Sequence, residues 1–98
     1  MAHDEPDLTS RAAIGRRMVL TRKALGHNLP MMARLIGSAS HGQIWENYES
    51  GRRRISIDQA LELSRTCGVP LDWIYRGYMD SHLPRALRAA IEKLLQPQ

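Results

Sequence analysis

The chain has 98 residues, a net charge of +4 and one cysteine, Cys67. This length suits a single domain with a modest core, and it leaves little room for an elaborate enzyme cleft. No apolar run approaches the roughly 20 residues of a membrane span, and a lone cysteine excludes an intrachain disulfide. Residues 1–7 lack the apolar core of a signal peptide, and a chain without an intrachain disulfide fits the reducing cytoplasm, so we expect a cytoplasmic protein.

The charge is unevenly distributed along the chain. Residues 1–10 carry three acids and no lysine or arginine, whereas residues 11–65 carry ten lysines or arginines against four acids. A locally basic region suits a polyanionic partner. Arginine outnumbers lysine twelve to two, and its planar guanidinium suits phosphates and guanine edges.

Polar caps and glycines mark the first two predicted helices. After an expected disordered tail at residues 1–9, Ser10 is the predicted N-cap of a helix that ends at Gly26. Asn28 is the predicted N-cap of a second helix. Its first turn tolerates Pro30, because the missing N–H has no helical partner there.

The third predicted helix leads directly into an arginine triplet. We expect this helix to run from about His41 to Glu49, with Ser40 as its cap, and Gly51 to end it. Three arginines follow at residues 52–54. A small helix beside a cationic turn suits the DNA major groove and the phosphates that flank it. The alternative is a surface helix followed by a solvated charge run.

Three more helices are predicted after the arginines. Ser56 and Gln59 have the spacing of a capping box, and they open a helix that ends at Gly68. A short fifth helix ends at Gly77, and Pro84 opens the last helix. The last helix carries an apolar stripe that consists of Leu83, Leu87, Ala90, Ile91, Leu94 and Leu95.

The apolar stripe predicts a homodimer. We expect the first five helices to form a core without it, from Ile14, Met18, Leu35, Trp45, Leu61 and Trp73. Part of the stripe would then meet the same stripe of a second copy. The predicted dimer contacts are Leu83, Leu87, Ile91 and Leu94. The alternative is that the helix folds back over helices 1 and 5.

Taken in order, these pieces resemble the Cro/cI-type (XRE-like) helix-turn-helix regulators over about residues 14–77. The matching residues are Ile14 to Met18 with Leu25 and Gly26, Ala33 with Gly37, Trp45 with Tyr48, Glu49 and Gly51, and Ser56 with Ala60, Leu61 and the run from Cys67 to Ile74. The resemblance implies an all-α, five-helix lambda-repressor-like bundle at residues 10–78, then a linker and C-terminal helix at 79–98. The segment from residue 37 to residue 45 is longer than the corresponding segment in the family. This difference implies either an enlarged turn or a late start of helix 3.

The resemblance also implies which residues contact DNA, because it places helix 3 in the major groove. If Trp45 and Tyr48 pack inward, helical geometry turns Gly42, Gln43, Glu46 and Asn47 toward solvent or DNA. In the family, an arginine on helix 1 can pair with the glutamate that ends helix 3, and Arg22 and Glu49 match these positions. The implied base contacts are Gln43, Asn47, His41 and Glu46, and the implied phosphate contacts are Arg52, Arg53 and Arg22.

The preferred function is therefore that of a sequence-specific DNA-binding transcriptional regulator, acting as a dimer on a pseudo-palindromic site of double-stranded DNA. We expect no enzymatic activity, cofactor or bound metal, because the histidines and Cys67 have no metal-ligand spacing and no glycine-rich phosphate loop follows a strand. The alternative is an antitoxin-like or other protein-interaction module, in which the last helix binds a heterologous protein.

Overall fold

The computed structural model describes residues 7–39, 41–79 and 82–97. All elements in these ranges are helices: α1 Arg11–Leu25, α2 Leu29–Leu35, α3 Gln43–Glu49, α4 Ile57–Cys67, α5 Leu71–Arg76 and α6 Arg85–Leu95. The predicted all-α class, with five helices followed by a C-terminal helix, is confirmed.

Local capping explains where most of these helices begin and end. Ser10, Asn28 and Ser56 each accept a hydrogen bond from the backbone N–H three residues ahead, at 3.1, 2.9 and 3.2 Å. Each cap satisfies one of the N–H groups that a helix start leaves unpaired. The Gln59 side chain accepts from the Tyr48 hydroxyl, so it ties α4 to α3. Left-handed glycines end α1, α4 and α5, namely Gly26, Gly68 and Gly77.

Helix α1 is the central element and packs against α3, α5 and α6. A buried polar contact joins it to α5, where the indole N–H of Trp73 donates to the Thr21 hydroxyl at 2.9 Å. The Thr21 hydroxyl donates in turn to the Arg17 carbonyl at 2.7 Å. Both groups are thus satisfied without water, which fixes the relative position of the two helices.

Arg17 is a buried arginine of α1, and only 6% of it is exposed. Its Nε donates to the carbonyl of Ile74 near the C-terminal end of α5, at 3.1 Å. Burial, and secondarily the charge of Arg16, lower the pKa of Arg17. The negative end of the α5 dipole favours a cation at this place. Arg17 therefore has a structural role in joining α1 to α5.

Residues 7–9 are held against the bundle, so the prediction of a disordered tail over residues 1–9 is wrong for this part. Arg17 donates to the Leu8 carbonyl, and Arg54 donates to the Thr9 carbonyl at 3.1 Å. These two hydrogen bonds join the segment to arginines that are distant in the sequence, so the sequence pattern did not reveal them. The first six residues lie outside the described ranges.

Helix α6 belongs to the same core as the five preceding helices. Leu83, Leu87 and Ile91 are buried within one chain, at 3%, 6% and 0% exposure, and α6 packs on α1. The prediction that these three residues form dimer contacts is therefore corrected, because the chain itself already buries their side chains. Leu94 stays 43% exposed and lines a groove between α6 and α1.

Leu61 is 49% exposed, so its prediction as a core residue is wrong. The buried positions of α4 are Ala60 and Leu63, and successive residues of a helix differ in direction by about 100°. This phase turns Leu61 away from the stripe that meets the bundle. Of the other expected core residues, Leu35 is half-buried and four are buried, which are Ile14, Met18, Trp45 and Trp73.

Candidate nucleic-acid interface

An ion pair fixes the end of α3 to α1. Arg22 Nε lies 2.6 Å from Glu49 Oε2, and Arg22 Nη2 lies 3.3 Å from Oε1. The Trp45 indole N–H donates to the same carboxylate at 2.7 Å. The side chains of Arg22 and Glu49 are only 21% and 13% exposed, so water screens the pair weakly. The ion pair between Arg22 and Glu49 that the resemblance implied is confirmed. Two of the three guanidinium nitrogens of Arg22 donate to Glu49.

Gly15 allows the backbones of α1 and α3 to touch. A Cβ atom at this position would lie 2.5 Å from the Glu49 carbonyl oxygen and 2.8 Å from that of Tyr48. Real Cβ atoms do not approach so closely, so α3 could not occupy this position if any other residue replaced the glycine. Together with the ion pair, this contact sets how far α3 stands out from the bundle.

The aromatic residues of α3 define its inner face. Trp45 and Tyr48 are 0% and 4% exposed, and their rings meet edge to face with centroids 6.4 Å apart. Their inward packing is confirmed. As helical phase requires, Gln43 and Glu46 are exposed and Asn47 is half-buried on the opposite side.

The outer face of α3 carries one connected group of polar side chains. Gln43 Nε2 donates to Asn47 Oδ1 at 3.2 Å, and Arg52 Nη1 donates to the same oxygen at 3.1 Å. Arg52 Nη1 also lies 3.5 Å from Glu46 Oε1. Two amides, one carboxylate and one guanidinium thus share a single surface, which we call the α3 face. These side chains can offer both donors and acceptors to a ligand.

The start of α3 differs from the prediction. The helix begins at Gln43 instead of His41, and its N-cap is Gly42 with φ of 104°. Gly42 is buried, and a Cβ atom added there would lie 2.9 Å from Leu29 Cβ. It therefore packs on α2 and is not turned toward solvent or DNA. The helix starts late, after a long connection at residues 36–42. Ser40, the predicted cap, lies outside the described residues.

His41 is exposed, and its φ of 55° is left-handed. It lines a shallow cleft beside the start of α3 with Pro30, Arg34, Ser38 and Ala39. Arg34 adds an exposed cation that the sequence analysis did not assign. Its position in the last turn of α2, just before the connection to α3, is the signal that could have identified it.

The arginine segment emerges directly from the end of α3. Gly51 has φ of 80°, and the Arg53 N–H donates to the Asn47 carbonyl at 3.2 Å. Arg52 and Arg53 are exposed. The contact of Arg52 with Glu46 leaves these side chains 59% and 48% exposed, and such a pair contributes only about 0–1 kcal/mol. Arg52 is therefore readily available to another anion.

Residues 7–39, 41–79 and 82–97 contain neither a metal-site cluster nor a membrane-spanning helix. In these ranges, no three histidine, cysteine or acidic side chains come together as a metal site would require. No helix there is both long and apolar enough to cross a bilayer. Comparison with protein-family models, curated proteins and solved structures found no match for this chain.

Proposed function

We propose that this protein is a sequence-specific DNA-binding transcriptional regulator, in which α2 and α3 act as a helix-turn-helix motif and α3 lies in the major groove. One observation carries the proposal. The α3 face presents Gln43 and Asn47 beside the exposed Arg52 and Arg53. The opposite side of the helix is anchored by buried contacts, so these side chains would meet a groove from a rigid support.

The chemistry of the α3 face matches that of DNA. Amide side chains can bond adenine through a donor and an acceptor, and Glu46 could accept from the amino group of cytosine. Arg52 and Arg53 would contact flanking phosphates, and counterion release would supply much of the affinity. The resemblance to Cro/cI-type regulators supports the same arrangement. Arg22 would contribute less to phosphate binding than predicted, because its guanidinium is already paired with Glu49.

The proposed regulator acts as a homodimer in the cytoplasm. One domain of this size covers limited DNA surface, so two copies on a pseudo-palindrome are the natural way to reach useful affinity. Neither an enzymatic step nor a cofactor enters this proposal.

The proposed function is tested by selecting bound sequences from random duplex DNA, with binding then measured at several salt concentrations. The proposal expects a reproducibly enriched motif with twofold symmetry, and an affinity that falls steeply with salt. A pool that stays random after repeated rounds would overturn it. Salt-sensitive binding without an enriched motif would overturn the sequence specificity.

A second candidate function is an antitoxin-like protein-interaction module. Leu94 and Leu95 favour it, because they stay 43% and 57% exposed at the end of α6. A heterologous protein could cover them together with the adjoining groove on α1. The same selection separates the two functions, since an interaction module without DNA specificity would enrich no motif.

A further inference from the structure

Helix α4 carries two large apolar side chains on its solvent side. Ile57 and Leu61 are 58% and 49% exposed, and their spacing of four residues places them on one face of the helix. Leu61 also lines a shallow groove between α4 and the end of α2. Ala60 and Leu63 already bury the inner side of α4 in the core, so this outer apolar face is not part of the folding core.

Charges of opposite sign lie on either side of Leu61 along α4. Asp58 lies in the first turn of α4 and Arg65 in its last turn. They are two helical turns apart and therefore share a side of the helix. Arg65 contacts Glu62 within the chain, but its side chain remains 73% exposed. The α4 patch, defined as Ile57, Leu61, Asp58 and Arg65, thus has an acidic end and a basic end.

We propose that the α4 patch binds the α4 patch of a second copy, with the two helices antiparallel. A twofold axis between residues 61 and 62 places Asp58 of each copy level with Arg65 of the other, because both lie equally far from the axis. The same axis brings the two Leu61 side chains together at the centre. A parallel arrangement would instead oppose like charges, so the charge pattern of α4 itself selects the antiparallel one.

This contact is expected to be weak in solution. Two large apolar side chains per copy cover less than the roughly 800 Å² per partner of a typical stable interface. Two copies held on one DNA site would associate far more readily, because the second contact becomes intramolecular. That consequence rests on the proposed DNA binding, whereas the contact between α4 patches does not.

The test is sedimentation equilibrium of the whole chain without DNA, over a concentration series that extends into the millimolar range. The wild type should show a monomer–dimer equilibrium. Leu61→Asp should raise the dissociation constant by at least about tenfold, because it removes apolar burial at the axis and places two carboxylates together. Leu95→Asp is the matched control, since Leu95 is a similarly exposed leucine on α6, and it should leave the equilibrium unchanged.

Charge reversal tests the register of the two helices. Asp58→Arg and Arg65→Asp should each weaken the dimer, and the double variant should recover most of the association. Thermal melting followed by circular dichroism verifies that each variant folds. A wild type that stays monomeric at the highest concentration would overturn the proposal. So would a dimer that Leu95→Asp dissociates while Leu61→Asp does not, or a double reversal without recovery. A protein that dimerises in this way but enriches no DNA motif would overturn only the proposed function.

Discussion

Arg22 on α1 and Glu49 at the end of α3 form a two-point ion pair, with closest atoms 2.6 Å apart. Trp45 donates to the same carboxylate, so one acid receives the guanidinium and the indole together. A carboxylate in this half-buried place needs such partners to offset its lost hydration. The orientation of the α3 face therefore depends on a contact made on the opposite side of the helix.

Arg22→Ala should lower the free energy of unfolding by about 1–3 kcal/mol, because Glu49 would stay half-buried with Trp45 as its remaining donor. Urea denaturation measures the change. The matched control is Arg65→Ala, which removes an exposed arginine from its contact with Glu62 and should cost at most about 0.5 kcal/mol. Equal costs for the two variants would show that the Arg22 contact does not anchor α3.

Gly15→Ala should destabilise the protein by about 1–3 kcal/mol, because the new methyl would collide with the backbone of α3. Helix propensity alone predicts the opposite, a gain of about 1 kcal/mol. Thermal or urea unfolding decides the sign. Arg16→Ala at the exposed neighbouring position is the control, and it should stay within about 0.5 kcal/mol of the wild type. A Gly15→Ala variant more stable than the wild type would contradict the observed approach of α3 to α1.

Ile91→Ala should lower the free energy of unfolding by about 2–5 kcal/mol, since this α6 residue is fully buried within the chain. This cost should be the same at every protein concentration, because the residue is buried within one chain. Leu95→Ala, at an exposed position of the same helix, should change little. If Ile91 were instead covered by a second copy, the cost would grow or shrink with protein concentration.

Local signals in the sequence predicted much of the fold. Ser10, Asn28 and Ser56 cap helices through atoms only three residues away. The left-handed glycines likewise act through their own backbone, as Gly26 and Gly68 show. Such signals survive in a sequence, because everything that they need lies within one helical turn.

The errors arose where distant contacts decide the structure. The family spacing left open a late start of α3, but the start at Gln43 accompanies the packing of Gly42 against Leu29, a contact that no local pattern shows. The apolar stripe that includes Leu87 predicts that one face of the helix is buried. The pattern does not indicate whether α1 or a second copy buries that face. Leu61 was placed in the core by residue type, although its helical phase points outward. Within the site, the inward Trp45 followed from the pattern, whereas the cleft beside His41 depends on the path of the α2–α3 connection.

Arg52→Ala and Arg53→Ala should weaken binding to all DNA sequences alike. Each should reduce the slope of log affinity against log salt by about 1, because each would remove one of the proposed phosphate contacts. Titration of labelled duplexes at several salt concentrations measures both effects. Arg85→Ala is the control, since Arg85 is exposed at the start of α6 and should leave the slope unchanged. An unaltered slope in the Arg52 and Arg53 double variant would place these arginines away from the DNA.

The most direct test of the account is the sequence preference of Gln43→Ala and Asn47→Ala, measured by titration with the selected duplex and with a scrambled duplex. The α3 face should read bases through these amides. Each variant should therefore lose about 1–3 kcal/mol on the selected site and almost nothing on the scrambled one. Gln96→Ala, at an exposed glutamine after α6, should behave as the wild type. Retention of the wild-type preference by both variants would contradict the central claim that α3 reads DNA through this face.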